Sequence, residues 1–209
     1  MTTRPFPLTD EEGPTAAELL DELQPDLLLS TERAGRNRNG LYYNMRGRDY
    51  GMGRARVDDV FDAGRERGIP VVAIGDGGNE IGMGNVADEV QAHVPFGAEG
   101  SCPCGGGIGA VSTADVLVTA AVSNRGCTAI AAATAARTGD RRLLHTPAAE
   151  RRLLDVMTAE GLINSPTGSS TTGWTAWTPK PTLPSPNCVP QSPVGDRLNR
   201  TKPAQDQSW

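Results

Sequence analysis

The sequence predicts an α/β fold, a parallel sheet flanked by helices in three layers, and three observations carry that expectation. Residues 27–29, 69–75 and 115–122 are short apolar runs rich in Leu, Val and Ile, which read as buried strands. A helical pattern precedes or follows each run. Each run also ends in polar residues: Thr31-Glu32-Arg33, then Asp76 to Glu80, then Ser123-Asn124-Arg125. Strands alternating with helices build a parallel sheet, and ligands then bind beyond the carboxyl ends of its strands.

The elements follow in order. Residues 1–13 look irregular. Ala16, Leu19, Leu20 and Leu23 recur at helical spacing, so residues 15–23 form a helix that Pro25 ends. Leu27-Leu28-Leu29 is the first buried strand. Residues 35–56 form a long polar connection holding all three tyrosines and, with Arg33 at its edge, seven arginines. Leu41, Tyr42, Tyr43, Met45 and Tyr50 can pack, which disfavours disorder. Two readings of this loop stay open. Its arginines bind a carboxylate or phosphate ligand, or they pair with the protein's own acids.

Residues 57–67 form a helix with Val57, Val60, Phe61 and Gly64 on one face and Gly68 just past its end. The strand at 69–75 opens into Gly75-Asp76-Gly77-Gly78-Asn79-Glu80-Ile81-Gly82-Met83-Gly84, a loop with five glycines. Glycines past a buried strand let a ligand approach the backbone closely, although a plain turn would also use them. Residues 86–94 are a short helix or strand. Residues 97–109 are glycine-rich but lack the Gly-Lys-Ser/Thr ending of a phosphate loop. After the third strand, residues 127–137 are Ala-rich and helical, with a helix N-terminus at 126–128 that favours an anion. Residues 147–161 form the last helix, Pro first and Gly last, with Leu153, Leu154, Met157 and Val156 turned inward.

Composition bounds the function. Across 209 residues the formal charge is -5, which argues against nucleic-acid binding. No apolar run reaches the length of about 18 residues that a membrane span requires. The acidic stretch Asp10-Glu11-Glu12 fits neither a secretory signal nor an Arg-rich transit peptide, so a cytoplasmic protein is expected. Cys102 and Cys104 form C-P-C rather than a zinc half-site, and the two histidines, His93 and His145, have no metal-site partner nearby. No G-x-S-x-G occurs to support a serine triad.

From Ser165 the language of the chain changes. Residues 165–209 hold half of the 16 prolines, all three tryptophans, both lysines and no glutamate. Such a segment cannot bury enough apolar surface to offset ordering, so disorder is expected there, and a shifted reading frame is the preferred origin.

Several motifs occur in sequence: Thr31-Glu32-Arg33-Ala34-Gly35, Tyr42-Tyr43-Asn44-Met45-Arg46-Gly47, the run from Gly75 to Val86, and Val122-Ser123-Asn124-Arg125-Gly126. In this order they resemble the C-terminal domain of the D-glutamate cyclase family over residues 26–164. Residues 1–25 are then a partial N-terminal segment and 165–209 a foreign tail. The resemblance implies a Rossmann-like fold and a lyase that closes D-glutamate to 5-oxo-D-proline with loss of water. Family members carry more α/β chain before the Glu-Arg motif, where only residues 1–31 stand here, so a fragment lacking part of its site is expected.

The chemistry needs few groups. A carboxylate takes a proton from the attacking amine, and an acid or a metal assists departure of hydroxide. Asp76, Glu80 and Glu32 are the candidate catalytic acids. The same three with Asn79 form an oxygen donor set for Mg²⁺ or Mn²⁺, the expected cofactor, and no nucleotide cofactor is expected. Arg33, Arg46 and Arg125 would clamp the substrate carboxylates, with Asn44, Ser123, Asn124, Gly77 and Gly78 completing the substrate site. The competing reading has Arg33 and Arg46 neutralising Glu32 and Asp76 within the fold. The expected partner is an amino-acid-sized substrate, without nucleic acid or membrane; a homo-oligomer stays open. Two other functions use the same residues: a metal-dependent hydrolase of a small phosphate or carboxylate ester, and an inactive ligand-binding remnant.

Overall fold

The computed structural model describes residues 2–8, 13–101 and 105–162. The expectations for the tail at 165–209, for Asp10 to Glu12 and for Cys102 and Cys104 lie outside these residues. Two units divide the chain, Met1–Glu150 and Arg151–Trp209.

The first unit is built on a three-stranded parallel sheet in the order β1-β2-β3, with β1 Leu28–Thr31, β2 Val71–Gly75 and β3 Val116–Thr119. Leu29 pairs with Val72 and Val72 with Val116; two residues on, Thr31 pairs with Ile74 and Ile74 with Val118. Helices flank the sheet, as the alternation of strands and helices predicts for an α/β fold. Helix α1, Ala16–Leu23, begins at a capping box: Thr15 accepts from the Glu18 N–H, and the Glu18 carboxylate returns to the Thr15 N–H. Helix α2, Asp58–Glu66, buries Val60, Phe61 and Gly64. Phe61 packs with Val71, Ala73, Ile81 and Ala114 into the core on one face of the sheet.

Helix α4, Ser123–Thr138, lies over the other face. A Cβ at Gly126 would stand 2.7 Å from Ile74 Cγ2, so this glycine sets how closely α4 approaches β2. The helix starts four residues earlier than its Ala-rich stretch suggests. No local side chain caps it; the carboxylate of Asp76 does, accepting from the Ser123 N–H at 2.8 Å. A cap supplied from 47 residues away leaves no local signal. The short helix α3, Ala87–His93, resolves the ambiguity at 86–94.

Only β2 is the buried strand that its sequence suggests. Leu29 is 53% exposed and Val116 52%, against full burial of Val71 and Ala73. The physical reason is position. Strands β1 and β3 are edges with one neighbour each, and α4 crosses the sheet at Ile74 and Val118, toward the strands' carboxyl ends. Leu29 and Val116 lie one row back on the same face, beyond its reach.

The polar connection at 35–56 is ordered by its own hydrogen bonds. Asn37 accepts from the Asn39 and Leu41 N–H groups and donates Nδ2 to the Gly107 carbonyl at 2.9 Å. Tyr43 is fully buried. Asp58, also fully buried, anchors the connection to α2: it accepts from the Arg36 N–H at 3.0 Å, from Arg36 Nη1 at 2.8 Å, and from the Tyr42 hydroxyl. Arg36 further pairs with Asp59 and Asp62, and Arg56 with Asp59. For these two arginines the self-pairing reading holds.

Helix α5, Pro147–Ala159, crosses the boundary between units. Leu153 and Val156, expected inward, are 42% and 52% exposed, while Leu154 and Met157 are half-buried. Helical spacing defines an apolar stripe without supplying a surface to cover it. Among the described residues, no helix is long and apolar enough to cross a membrane.

Two predictions follow from this packing. Gly126→Ala drives a methyl into Ile74 and lowers stability by about 1–3 kcal/mol, read as a drop in Tm. Burial, and then the Asp58 carboxylate, raise the Tyr42 phenol above its ordinary value. A raised phenol contributes its stability in full below the unfolded value of about 10 and loses it as pH rises beyond. Denaturant titrations should therefore show stability falling from about pH 10 upward, with a shallower fall in Tyr42→Phe.

Candidate active site

Three chain segments meet at the carboxyl ends of the strands. The Glu32 N–H donates to the Ile74 carbonyl at 3.1 Å, extending the parallel pairing of β1 and β2 by one residue. Glu32 then takes φ +53°, a conformation uncommon for residues other than glycine. The chain turns there, so that Ala34 pairs antiparallel with Glu80, flanked by Gly35 N–H to Asn79 O at 3.0 Å and Ile81 N–H to Arg33 O at 2.8 Å. The third segment is the first turn of α4.

Glu32, Asp76 and Glu80 come together, with one carboxylate oxygen from each lying within 4.8 Å of the others. Glu32 and Asp76 are exposed, whereas Glu80 is 3% exposed. Each is held differently. Asp76 Oδ2 accepts from the Ser123 N–H at 2.8 Å and from the Ser123 hydroxyl at 3.2 Å. Glu80 accepts from the N–H groups of its own loop: Asp76 at 3.2 Å and Gly77 at 2.8 Å on Oε1, and Gly78 at 2.8 Å on Oε2. Gly78 sits at φ +103°, where a side chain would be strained and its Cβ would stand 2.8 Å from Val90. The Glu32 carboxyl is pushed above its ordinary value by loss of water around it. A hydrogen bond from Ser123 opposes the rise, and the charges of Asp76 and Glu80 add to it.

Among the described residues no ion pair reaches these carboxylates. The reading in which Arg33 and Arg46 neutralise Glu32 and Asp76 is therefore not the arrangement found. Arg33 is half-buried; its Nη2 donates to the Ala55 carbonyl at 2.6 Å, and its Nε is buried without an acceptor. The exposed guanidinium groups of Arg46 and Arg125 have no partner among the described residues.

The remaining expected residues are placed as follows. Ser123 and Asn124 open α4, with Ser123 on Asp76 and the Asn124 carbonyl accepting from Thr128. Asn44 shapes a turn, its Oδ1 accepting from the Arg46 and Arg48 N–H groups. Asn79 donates Nδ2 to the Tyr43 carbonyl at 2.7 Å, tying the glycine loop to the 35–56 connection. Gly77 and Gly78 give their N–H groups to Glu80.

Sequence reasoning missed Tyr50. Burial raises its phenol; Arg54 and Arg33 lower it, and the charges of Glu80 and Glu32 raise it, so this ring shares the field of the acidic site. No local motif marks it, because the acids it senses are 18 and 30 residues away in the chain. A groove of about 190 Å³ lined by Arg38, Gly84, Gln91, Gly97, Gly107 and Val111 includes none of the three carboxylates.

The three carboxylates form an all-oxygen donor set, which suits a hard divalent cation, and their mutual repulsion is what such a cation would relieve. Glu32 and Asp76 have oxygens to spare for it, while Glu80 is engaged by three backbone donors.

The chain is 39% identical over 109 residues to the human protein named D-glutamate cyclase, mitochondrial; the match takes in 52% of this chain. The chain spans only 16% of that relative's length. The sequence pattern of the family D-glutamate cyclase-like, C-terminal matches residues 5–173, reaching both sides of the acidic cluster. By that match, the chain belongs to the D-glutamate cyclase-like, C-terminal family.

Proposed function

We propose that this site is that of a cyclase-type lyase closing D-glutamate to 5-oxo-D-proline with loss of water. One observation carries the reading: Glu32, Asp76 and Glu80 within 4.8 Å of one another, with no cationic side chain paired to them among the described residues. The family and the name of the human relative supply the substrate class.

The reaction joins the α-nitrogen to the γ-carboxyl carbon and breaks one carbon–oxygen bond. The ammonium nitrogen gives up two protons, one before it attacks and one once the carbon–nitrogen bond has formed, and the departing carboxylate oxygen takes up two to leave as water. Asp76, whose Oδ2 is held by the Ser123 N–H and hydroxyl, is assigned the first role. Glu32, whose carboxyl holds its proton to higher pH than usual, is assigned the second. Arg125 and Arg46, whose guanidinium groups have no partner among the described residues, are assigned the substrate carboxylates. In the alternative assignment Glu32 and Asp76, both ionised, would hold a Mg²⁺ or Mn²⁺ ion, which would take the place of the Glu32 proton in polarising the γ-carboxyl. Hydrolysis of a small phosphate or carboxylate ester is the second reading, because an all-oxygen donor set serves it equally.

D-Glutamate is expected to yield 5-oxoproline, detected by chromatography, and Asp76→Asn should lower kcat by about 10²–10⁴-fold. Chelation with EDTA should slow the reaction and added Mn²⁺ restore it. Release of phosphate or alcohol from a generic ester, with no lactam formed, would replace the cyclase by the hydrolase. Arg125→Ala should raise KM for D-glutamate about tenfold or more while kcat changes little, as expected when a carboxylate contact is lost uniformly.

A further inference from the structure

We propose that Glu80 is the internal anion of a backbone nest and a positioning residue, which fixes Asp76 and Glu32 in place and exchanges no proton with substrate. The role of what it positions rests on the cyclase reading; the nest itself does not. Three consecutive N–H groups, those of Asp76, Gly77 and Gly78, converge on the Glu80 carboxylate at 3.2, 2.8 and 2.8 Å. Successive N–H groups turned to one side, with a residue at positive φ among them, form a concavity that binds anions. Here Gly78 supplies the positive φ, and the chain's own side chain fills the concavity. A carboxylate offers about four lone-pair sites, and three of them are taken from within the loop. At 3% exposure, Glu80 presents little of itself to a substrate.

The same residue reaches both working acids. Its carboxylate holds the Asp76 N–H, while Ser123 holds the Asp76 carboxylate, so Asp76 is fixed from both ends. Its backbone pairs with Ala34, between the bonds joining Gly35 to Asn79 and Ile81 to Arg33, so the segment carrying Glu32 is registered against the same loop. Removing the carboxylate would leave three inward-facing donors without acceptors and loosen both acids together.

Anion rescue of Glu80→Ala tests this. Nitrate matches a carboxylate in shape but carries no proton near neutral pH; formate matches it and can carry one. The variant should lose about tenfold to a hundredfold in kcat on D-glutamate, and nitrate and formate should restore it to similar extents. Nitrate should also raise the Tm of Glu80→Ala but not that of the unaltered chain in the same salt. Recovery with formate alone would show proton transfer and overturn the proposal. Stabilisation by nitrate without recovered turnover would overturn the positioning role, and a folded variant indifferent to both anions would overturn the nest. If Glu80→Ala does not fold, Glu80→Gln decides. Positioning requires hydrogen exchange across the 74–81 peptide to quicken as kcat falls, and a fall in kcat with exchange unchanged would overturn it. If the unaltered chain forms no 5-oxoproline, the cyclase reading fails by itself, and the Tm shift in Glu80→Ala still reads the nest.

Discussion

Like charges a few ångströms apart repel, and Glu32, Asp76 and Glu80 bring carboxylate oxygens within 4.8 Å of one another without a paired arginine or lysine among the described residues. The main chain offsets that repulsion for two of them. Glu80 rests on three N–H groups of the loop it terminates, and Asp76 on the N–H and hydroxyl of Ser123 at the start of α4. Backbone donors hold a carboxylate while leaving the net charge of the cluster in place. Arginines in the same positions would cancel the charge and close the site. Glu32, just past the end of β1, holds its proton more firmly, chiefly through loss of water around it and then through the charges of Asp76 and Glu80.

The arginines divide along the same line. Arg36 and Arg56 are committed to Asp58, Asp59 and Asp62, where they and Tyr42 clamp the long polar connection onto α2. That clamp has a functional consequence through packing. The connection carries the Tyr43 carbonyl that receives Asn79, so the ordered connection and the glycine loop support each other. Arg33, Arg46 and Arg125 stay outside this network, and none of them is paired with the acids. One composition, rich in arginine throughout, thus serves two purposes that only contacts distinguish.

The sheet places chemistry and apolar surface at opposite ends. Helix α4 crosses at Ile74 and Val118, close to the carboxyl ends, and its first turn supplies the Asp76 cap. Toward the other end of the same face Leu29 and Val116 remain half exposed. A helix that packs tightly at Gly126 to reach the acidic loop cannot also cover the far row, so the positioning of Asp76 and the exposure of these side chains have one cause.

The sequence alone determined the alternation of strand and helix, the carboxyl end of β2, and the two strand ends that supply the acids. It could do so because apolar runs and glycine loops are local signals with local causes. The motifs also pointed to the family. Tertiary structure decided the rest. It decided that β1 and β3 are half-exposed edges, that α4 begins at Ser123 because a distant carboxylate caps it, and that Tyr50 shares the acids' field. It also decided how each acid is held. Asp76 and Glu80 look alike in sequence, four residues apart around glycines, yet one is held through a helix start and the other is enclosed by its own loop. Hydrogen-bond partners in three dimensions set that difference, and the order of residues along a chain does not specify where a carboxylate finds its donors.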